Sequence, residues 1–323
     1  MNNKVKFNGR KIPVNASESL WSANDGWLIR RIDIKANKQQ PDSIDSIKPK
    51  GSLLFLPGRG DHYEKYLETL VQFSENGLNV TAIDWRGQGL SGRLLADQNV
   101  GYIDDFSTWI DDLTGFYEKW AANNVGPHIV VAHSMGGHLA VRALAEKKIN
   151  PDMVILSAPM LSMQSGGMPR WFNHFAVKMM VALGRGEKPA WKVSEKPLSP
   201  ESMRSRILTH DAERYDDEIF WWGERPEVKL GPGSWHWVER AMQSVHDLDN
   251  DTIMGAIKTP TLILATTNDK LVDTGRIIKD AKRMPNAKLV LYGKEAAHEL
   301  LREADPVRDK VMGEIFDFIQ KHS

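Results

Sequence analysis

Short apolar runs closed by turn-forming residues punctuate the chain at Ser52 to Leu56, Asn79 to Ile83, His128 to Ala132, Met153 to Ser157, Thr261 to Thr266 and Lys288 to Tyr292. Runs this short and this uniformly apolar read as strands buried on both faces of a parallel sheet. Between most of them lie longer, helix-like stretches: Tyr63 to Glu75, Asp104 to Ala122, Met135 to Lys147 and Thr274 to Arg283. Such alternation predicts an α/β fold with a doubly wound, mostly parallel sheet. Ahead of the first parallel strand, Trp27 to Ile34 mixes apolar and charged positions and predicts an antiparallel edge strand.

The alternation stops between Ala158 and about Val245, where strand-like runs vanish and aromatic and methionine residues crowd together. We read this stretch as an inserted, mainly helical cap, with the core formed by residues 1–157 and 246–323. Six of the 11 tryptophans fall in it: Trp171, Trp191, Trp221, Trp222, Trp235 and Trp237. Trp171, Phe172, Phe175, Met179 and Met180 recur near helical spacing and would form one apolar face. That face either roofs a greasy pocket or serves as the cap's own core. Under the first use, Trp171, Phe175, Met179 and Trp237 are the candidate substrate contacts.

Charge changes the picture locally. Over the whole chain of 323 residues, 42 lysines and arginines balance 42 aspartates and glutamates, so no electrostatic footprint for nucleic acid is present. Between Ala158 and Arg206, however, Arg170, Lys178, Arg185, Lys188, Lys192, Lys196, Arg204 and Arg206 face only Glu187, Glu195 and Glu201. Beside an aromatic wall, this excess suits peripheral contact with an anionic membrane surface; a solvated face without a partner is the other reading. The beginning of the chain lacks the apolar stretch of a signal peptide and no segment approaches a membrane span, which predicts a soluble, cytoplasmic protein. With no cysteine, thiolate catalysis, disulfides and Cys-ligated zinc drop out. Oligomeric state has no signature in the pattern.

The chemistry begins at Ala132-His133-Ser134-Met135-Gly136-Gly137, directly after the apolar Ile129-Val130-Val131. A serine at a sharp strand-to-helix turn is lifted out of the sheet as a nucleophile, and the next N–H, that of Met135, can help hold an oxyanion. Ala132 departs from the usual G-x-S-x-G by one methyl group; the competing use of the segment is a serine N-cap. A serine hydroxyl needs a base held by a carboxylate. Of ten histidines, His298 follows the last predicted strand in a loop entering a helix, where loops at strand ends converge. His133 and His138 suit local packing or hydrogen bonding. Asp269 follows Thr261 to Thr266 and is the preferred acid, whereas Asp273 stands near a helix N-cap. The turn Pro57-Gly58-Arg59-Gly60 offers Arg59 N–H as a second oxyanion donor, and its side chain could meet a phosphate.

Gly87-Gln88-Gly89-Leu90-Ser91-Gly92 matches the dinucleotide fingerprint G-x-G-x-x-G after a strand. The match is weak, because too few residues follow for the expected helix and Asp112, twenty residues on, sits in a helical stretch. No His-Glu-x-x-His or other clustered ligand set exists, so neither a metal nor any cofactor is implied.

Taken together, Pro57-Gly58-Arg59, Asp84-Trp85-Arg86-Gly87-Gln88-Gly89-Leu90-Ser91-Gly92-Arg93-Leu94-Leu95-Ala96-Asp97, the Ser134 hexapeptide, Leu208-Thr209-His210 and Gly231 to Val238 resemble the bacterial lysophospholipase L2 branch of the monoacylglycerol-lipase-like serine hydrolases. The resemblance spans about Ser52 to His298 and implies an α/β-hydrolase fold. It also implies Ser134, Asp269 and His298 as the triad, Arg59 and Met135 as oxyanion donors, and a lipid ester as substrate. The implied activity is release of a fatty acid from a single-chain acyl lipid, a lysophospholipid first and a monoacylglycerol second. A broad carboxylesterase, a serine aminopeptidase and a non-catalytic lipid-binding protein are the other readings. Pro57 stands where monoacylglycerol lipases carry His, and the cap is where such families are least alike.

Overall fold

A computed structural model describes residues 7–37, 48–191 and 203–323. Its sheet has eight strands: β1 Ala16–Ser22, β2 Leu28–Ile34, β3 Gly51–Leu56, β4 Leu78–Ile83, β5 His128–His133, β6 Met153–Ser157, β7 Thr261–Thr266 and β8 Ala287–Tyr292. Their order is β1-β2-β4-β3-β5-β6-β7-β8, with β1 and β2 antiparallel and β3 to β8 parallel. Every predicted strand is present within a residue or so. The addition is β1, whose side chains are mostly exposed and so carry no alternation to read.

The helices are α1 Leu67–Glu75, α2 Phe106–Ala122, α3 Ser134–Ala145, α4 Arg170–Met180, α5 Met203–Leu208, α6 Ala212–Glu224, α7 Trp235–Asp247, α8 Asp251–Gly255, α9 Thr274–Arg283 and α10 Asp305–His322. Because strand side chains alternate between faces, β3 sends Leu54 and Leu56 to one side and Leu53 and Phe55 to the other, all fully buried. Leu54 and Leu56 join a core with Phe106, Trp109, Leu139 and Ile277 from α2, α3 and α9. Leu53 and Phe55 join a second core with Leu70, Phe73, Val311 and Ile315 from α1 and α10. Two covered faces are what near-continuous apolar strands require.

Between β6 and β7 the chain leaves the sheet. The expected cap segment holds α4 to α7 and, among its described residues, no β-strand; α7 runs to Asp247, just past the expected boundary at Val245. Lys192, Glu195, Lys196 and Glu201 lie outside the described residues.

Candidate active site

The strand order reverses between β4-β3 and β3-β5, so loops leaving the carboxyl ends of β3 and β5 diverge and open a crevice there. Ser134 stands at this point. β5 ends at His133 and α3 begins at Ser134 with no linking residue, and Ser134 has φ 50°, a region that non-glycine residues rarely adopt. Two contacts hold the turn. The Ser134 carbonyl accepts the Met160 N–H at 2.9 Å. At Gly136, a Cβ would lie 2.4 Å from the Leu56 oxygen and 2.5 Å from the Pro57 oxygen, so only glycine lets α3 sit against the end of β3. Ala132, where glycine is usual, is a fully buried core residue whose methyl is accommodated.

Loops after β7 and β8 bring two side chains to the serine. His298 Nδ1 lies 2.7 Å from Asp269 Oδ2, and Nε2 lies 3.0 Å from Ser134 Oγ. The other Asp269 oxygen accepts the Leu271 and Val272 N–H groups at 2.8 and 3.0 Å. Burial disfavours both charges, yet each stabilises the other: the His298 pKa lies above the ordinary histidine value and that of Asp269 below the ordinary aspartate value. Asp273 has the capping role, accepting the Arg276 N–H at the start of α9. His133 turns away to the Ser157 carbonyl at 3.1 Å, and burial followed by the nearby His298 pushes its pKa down to about 4. His138 bonds Ser244 at 2.7 Å, and burial pushes its pKa down to about 3.

Arg59 lies in the loop after β3. The loop passes directly beside the serine, since a Cβ at Gly58 would be 3.2 Å from Ser134 Cβ. Three side chains pin it. Trp85 Nε1 donates to the Pro57 carbonyl at 2.8 Å, Asp61 Oδ2 accepts the Gly58 N–H at 3.0 Å, and Gln88 Oε1 accepts the Gly60 N–H. Asp61 also takes Lys65 Nζ at 2.7 Å and the Tyr66 hydroxyl at 2.8 Å, and Lys65 continues to Glu299, the neighbour of His298. Neither the Arg59 nor the Met135 N–H has an acceptor among the described residues. Lys65, Gln88 and Glu299 escape the sequence reading because the partners that tie them to the site are distant in the chain, and Asp61 because a loop carboxylate bonding its near neighbours leaves no periodic pattern; Gln88 alone had a signal, within Gly87-Gln88-Gly89.

Those glycines wrap an aspartate. Gly89 has φ 51°, and a Cβ there would lie 2.1 Å from Asp84 Oδ2. Asp84 accepts the Leu90 and Tyr63 N–H groups at 3.0 and 3.1 Å and pairs with Arg30 at 2.7 Å. Asp112 is likewise committed, to Arg86 at 2.7 Å. No group of potential metal ligands occurs among the described residues.

Ser134 and His298 open into a cavity of about 690 Å³ bordered by Met160, Phe172, Val177, Trp191, Trp237 and Leu271. Of the expected substrate contacts, Trp237 is there. Trp171, Phe175 and Met179 are not: they are 72%, 60% and 47% exposed, on the outer stripe of α4. Positions four apart share one helix face, and the cavity takes Phe172 and Ala176 on the neighbouring face instead. Trp171 borders a separate cavity of about 460 Å³ that contains none of Ser134, His298 and Arg59. In the basic stretch, Lys178, Arg185, Lys188 and Arg206 are exposed, whereas Arg204 is bound to Glu218. Among the described residues no helix is long and apolar enough to cross a membrane.

Comparison with known proteins fits this architecture. The chain is 29% identical over 293 residues to lysophospholipase L2 of Escherichia coli, covering 84% of this chain and 81% of that protein. It is 26% identical to the probable lysophospholipase L2 of Haemophilus influenzae, with 84% of each covered. Among solved structures, a soluble variant of monoglyceride lipase from Saccharomyces cerevisiae in complex with a substrate analogue superposes with a TM-score of 0.74 at 18% identity, over 97% of this chain and 96% of that one. The family described as serine aminopeptidase, S33 matches residues 47–305, and this chain is therefore a hydrolase belonging to that family, with the α/β-hydrolase fold and a likeness to the lysophospholipases L2.

Proposed function

We propose that the chain hydrolyses the ester of a single-chain acyl lipid, a lysophospholipid before a monoacylglycerol, with Ser134 as nucleophile, His298 as base and Asp269 as the acid that orients it. The observation that carries this is the continuous Asp269–His298–Ser134 hydrogen-bond chain at the floor of a largely apolar cavity. His298 Nε2 takes the hydroxyl proton as Ser134 Oγ attacks the ester carbonyl, and Asp269 stabilises the imidazolium that forms. The Arg59 and Met135 N–H groups receive the developing oxyanion. Collapse expels the glycerol-borne alkoxide, protonated by His298; water activated by the same imidazole then releases the fatty acid from Ser134. The apolar walls suit one acyl chain. Lysophospholipid ranks first because the curated relatives above carry that name and because a cationic arginine borders the cavity.

Ser134→Ala is expected to abolish both turnover and labelling by a fluorophosphonate probe; retained hydrolysis would sink the proposal. Profiling lysophosphatidylcholine, monoacylglycerol, short p-nitrophenyl esters and proline amides separates lipase, esterase and aminopeptidase activity.

The same reading includes peripheral contact with an anionic membrane. Trp171, Phe175, Met179 and Leu183 leave an apolar stripe in solvent, with Lys178 and Arg185 nearby. An aromatic and aliphatic face flanked by cations suits the headgroup boundary. Sedimentation with vesicles should rise with anionic lipid and fall with salt, and indifference to both would refute it.

A further inference from the structure

Three cationic side chains border the large cavity: Arg59, Lys65 and Arg204. Two are committed. Lys65 is held by Asp61 at 2.7 Å and by Glu299 at 2.5 Å, and Arg204 by Glu218 at 2.7 Å. Arg59 has no carboxylate within ion-pair distance among the described residues. Its guanidinium donates to the Gly231 carbonyl at 3.0 Å and lies over the indoles of Trp191 and Trp237, 5.0 and 5.4 Å from their centroids. A guanidinium has five donors in a rigid fork, and stacking on aromatic faces fixes its plane without satisfying them. Burial outweighs the attraction of Asp61 and brings the Arg59 pKa down to about 10, so a cation stands largely out of water without a close counter-ion.

Arg59 follows Gly58, which abuts Ser134, and its side chain borders the same cavity as Ser134 and His298. In a lysophospholipid the phosphate stands one glycerol unit from the ester that is cut. Trp237, on the same cavity, has a buried indole N–H with no acceptor among the described residues. The geometry points to Arg59 as a specificity-determining residue whose side chain binds the phosphate ester of a glycerophospho leaving group. This assignment rests on the lipid-ester reading above and narrows it to anionic headgroups over plain glycerol.

The test compares the full chain with R59K and R59Q. Values of kcat/KM are measured on lysophosphatidylglycerol and on monoacylglycerol of the same acyl chain, with thermal unfolding and fluorophosphonate labelling alongside. R59Q is expected to lower the ratio of the two activities by about 10- to 100-fold, as loss of a hydrogen bond to a charged group implies, with partial recovery in R59K. Should R59Q fail to fold, R59K and inhibition of the unaltered chain decide. Glycerol 3-phosphate should inhibit hydrolysis of a neutral p-nitrophenyl ester more strongly than inorganic phosphate or glycerol, and lose that advantage in R59K. An unchanged ratio, or glycerol 3-phosphate no better than glycerol, overturns the assignment. Inorganic phosphate as potent as glycerol 3-phosphate also overturns it, in favour of a free-phosphate site. A chain that cleaves neither ester and takes no fluorophosphonate label overturns the hydrolase reading itself, a result distinct from cleavage of both esters with an unaltered ratio.

Discussion

Gly136→Ala is expected to separate the two proposed oxyanion donors. The added Cβ would lie 2.4 Å from the Leu56 carbonyl oxygen, about 1 Å inside the 3.4 Å at which ordinary contact begins. Backbone on both sides means that no side chain can rotate out of the way. The first turn of α3 and the end of β3 must therefore part by about 1 Å; the first carries the Met135 N–H and the second leads directly into the loop that carries the Arg59 N–H. A misplacement of that size costs about 100-fold in rate, or about 2.7 kcal/mol, comparable with deleting one oxyanion-hole donor. Overpacking should add a stability loss of about 1–3 kcal/mol. The assay is kcat/KM on a short p-nitrophenyl ester, paired with urea unfolding so that the rate is read on folded protein. A folded variant within threefold of the unaltered rate would refute the argument that this backbone contact sets the donor geometry.

Other predictions concern the charges. As the proposed base, His298 must be neutral to accept a proton, and its pKa is raised, so kcat/KM should rise with pH through an acid limb centred above the usual histidine value near 6.5; a pH–rate profile checks this. Asp269→Asn removes the charge that raises it and should lower kcat by about 10⁴-fold, with the acid limb moving down; a variant with an unmoved limb would contradict the pairing. Asp61→Asn loosens Gly58 and Lys65 together and should cost about 1–3 kcal/mol by urea unfolding as well as lower kcat. Phe175→Ser with Met179→Ser should weaken vesicle sedimentation, and an unaltered partition would remove α4 from the proposed membrane face.

How much was legible in the chain follows from the range of each signal. The parallel strands were readable because burial on both faces leaves a continuous apolar run, while β1, exposed on most positions, left none. Ser134, Asp269 and His298 were each placed by the strand that precedes them, since a residue at a strand's carboxyl end inherits its location from the sheet. The outer and inner faces of α4 could not be told apart. Trp171, Phe175 and Met179 form as good a stripe as the cavity-facing positions, and only the packing of α4 on α7 sets which one meets the cavity.

The sequence by itself determined the alternation of strands and helices, the interruption between β6 and β7, and the positions of the proposed triad residues at strand ends, all of which depend on neighbours within a few positions. Tertiary structure alone decided that Lys65 and Glu299 link the Arg59 loop to the His298 loop, that Arg30 pairs with the Asp84 carboxylate, and that Arg59 borders the cavity without a carboxylate at ion-pair distance among the described residues. Those are contacts between segments far apart in the chain, and their energies arise from burial and pairing that no local pattern records.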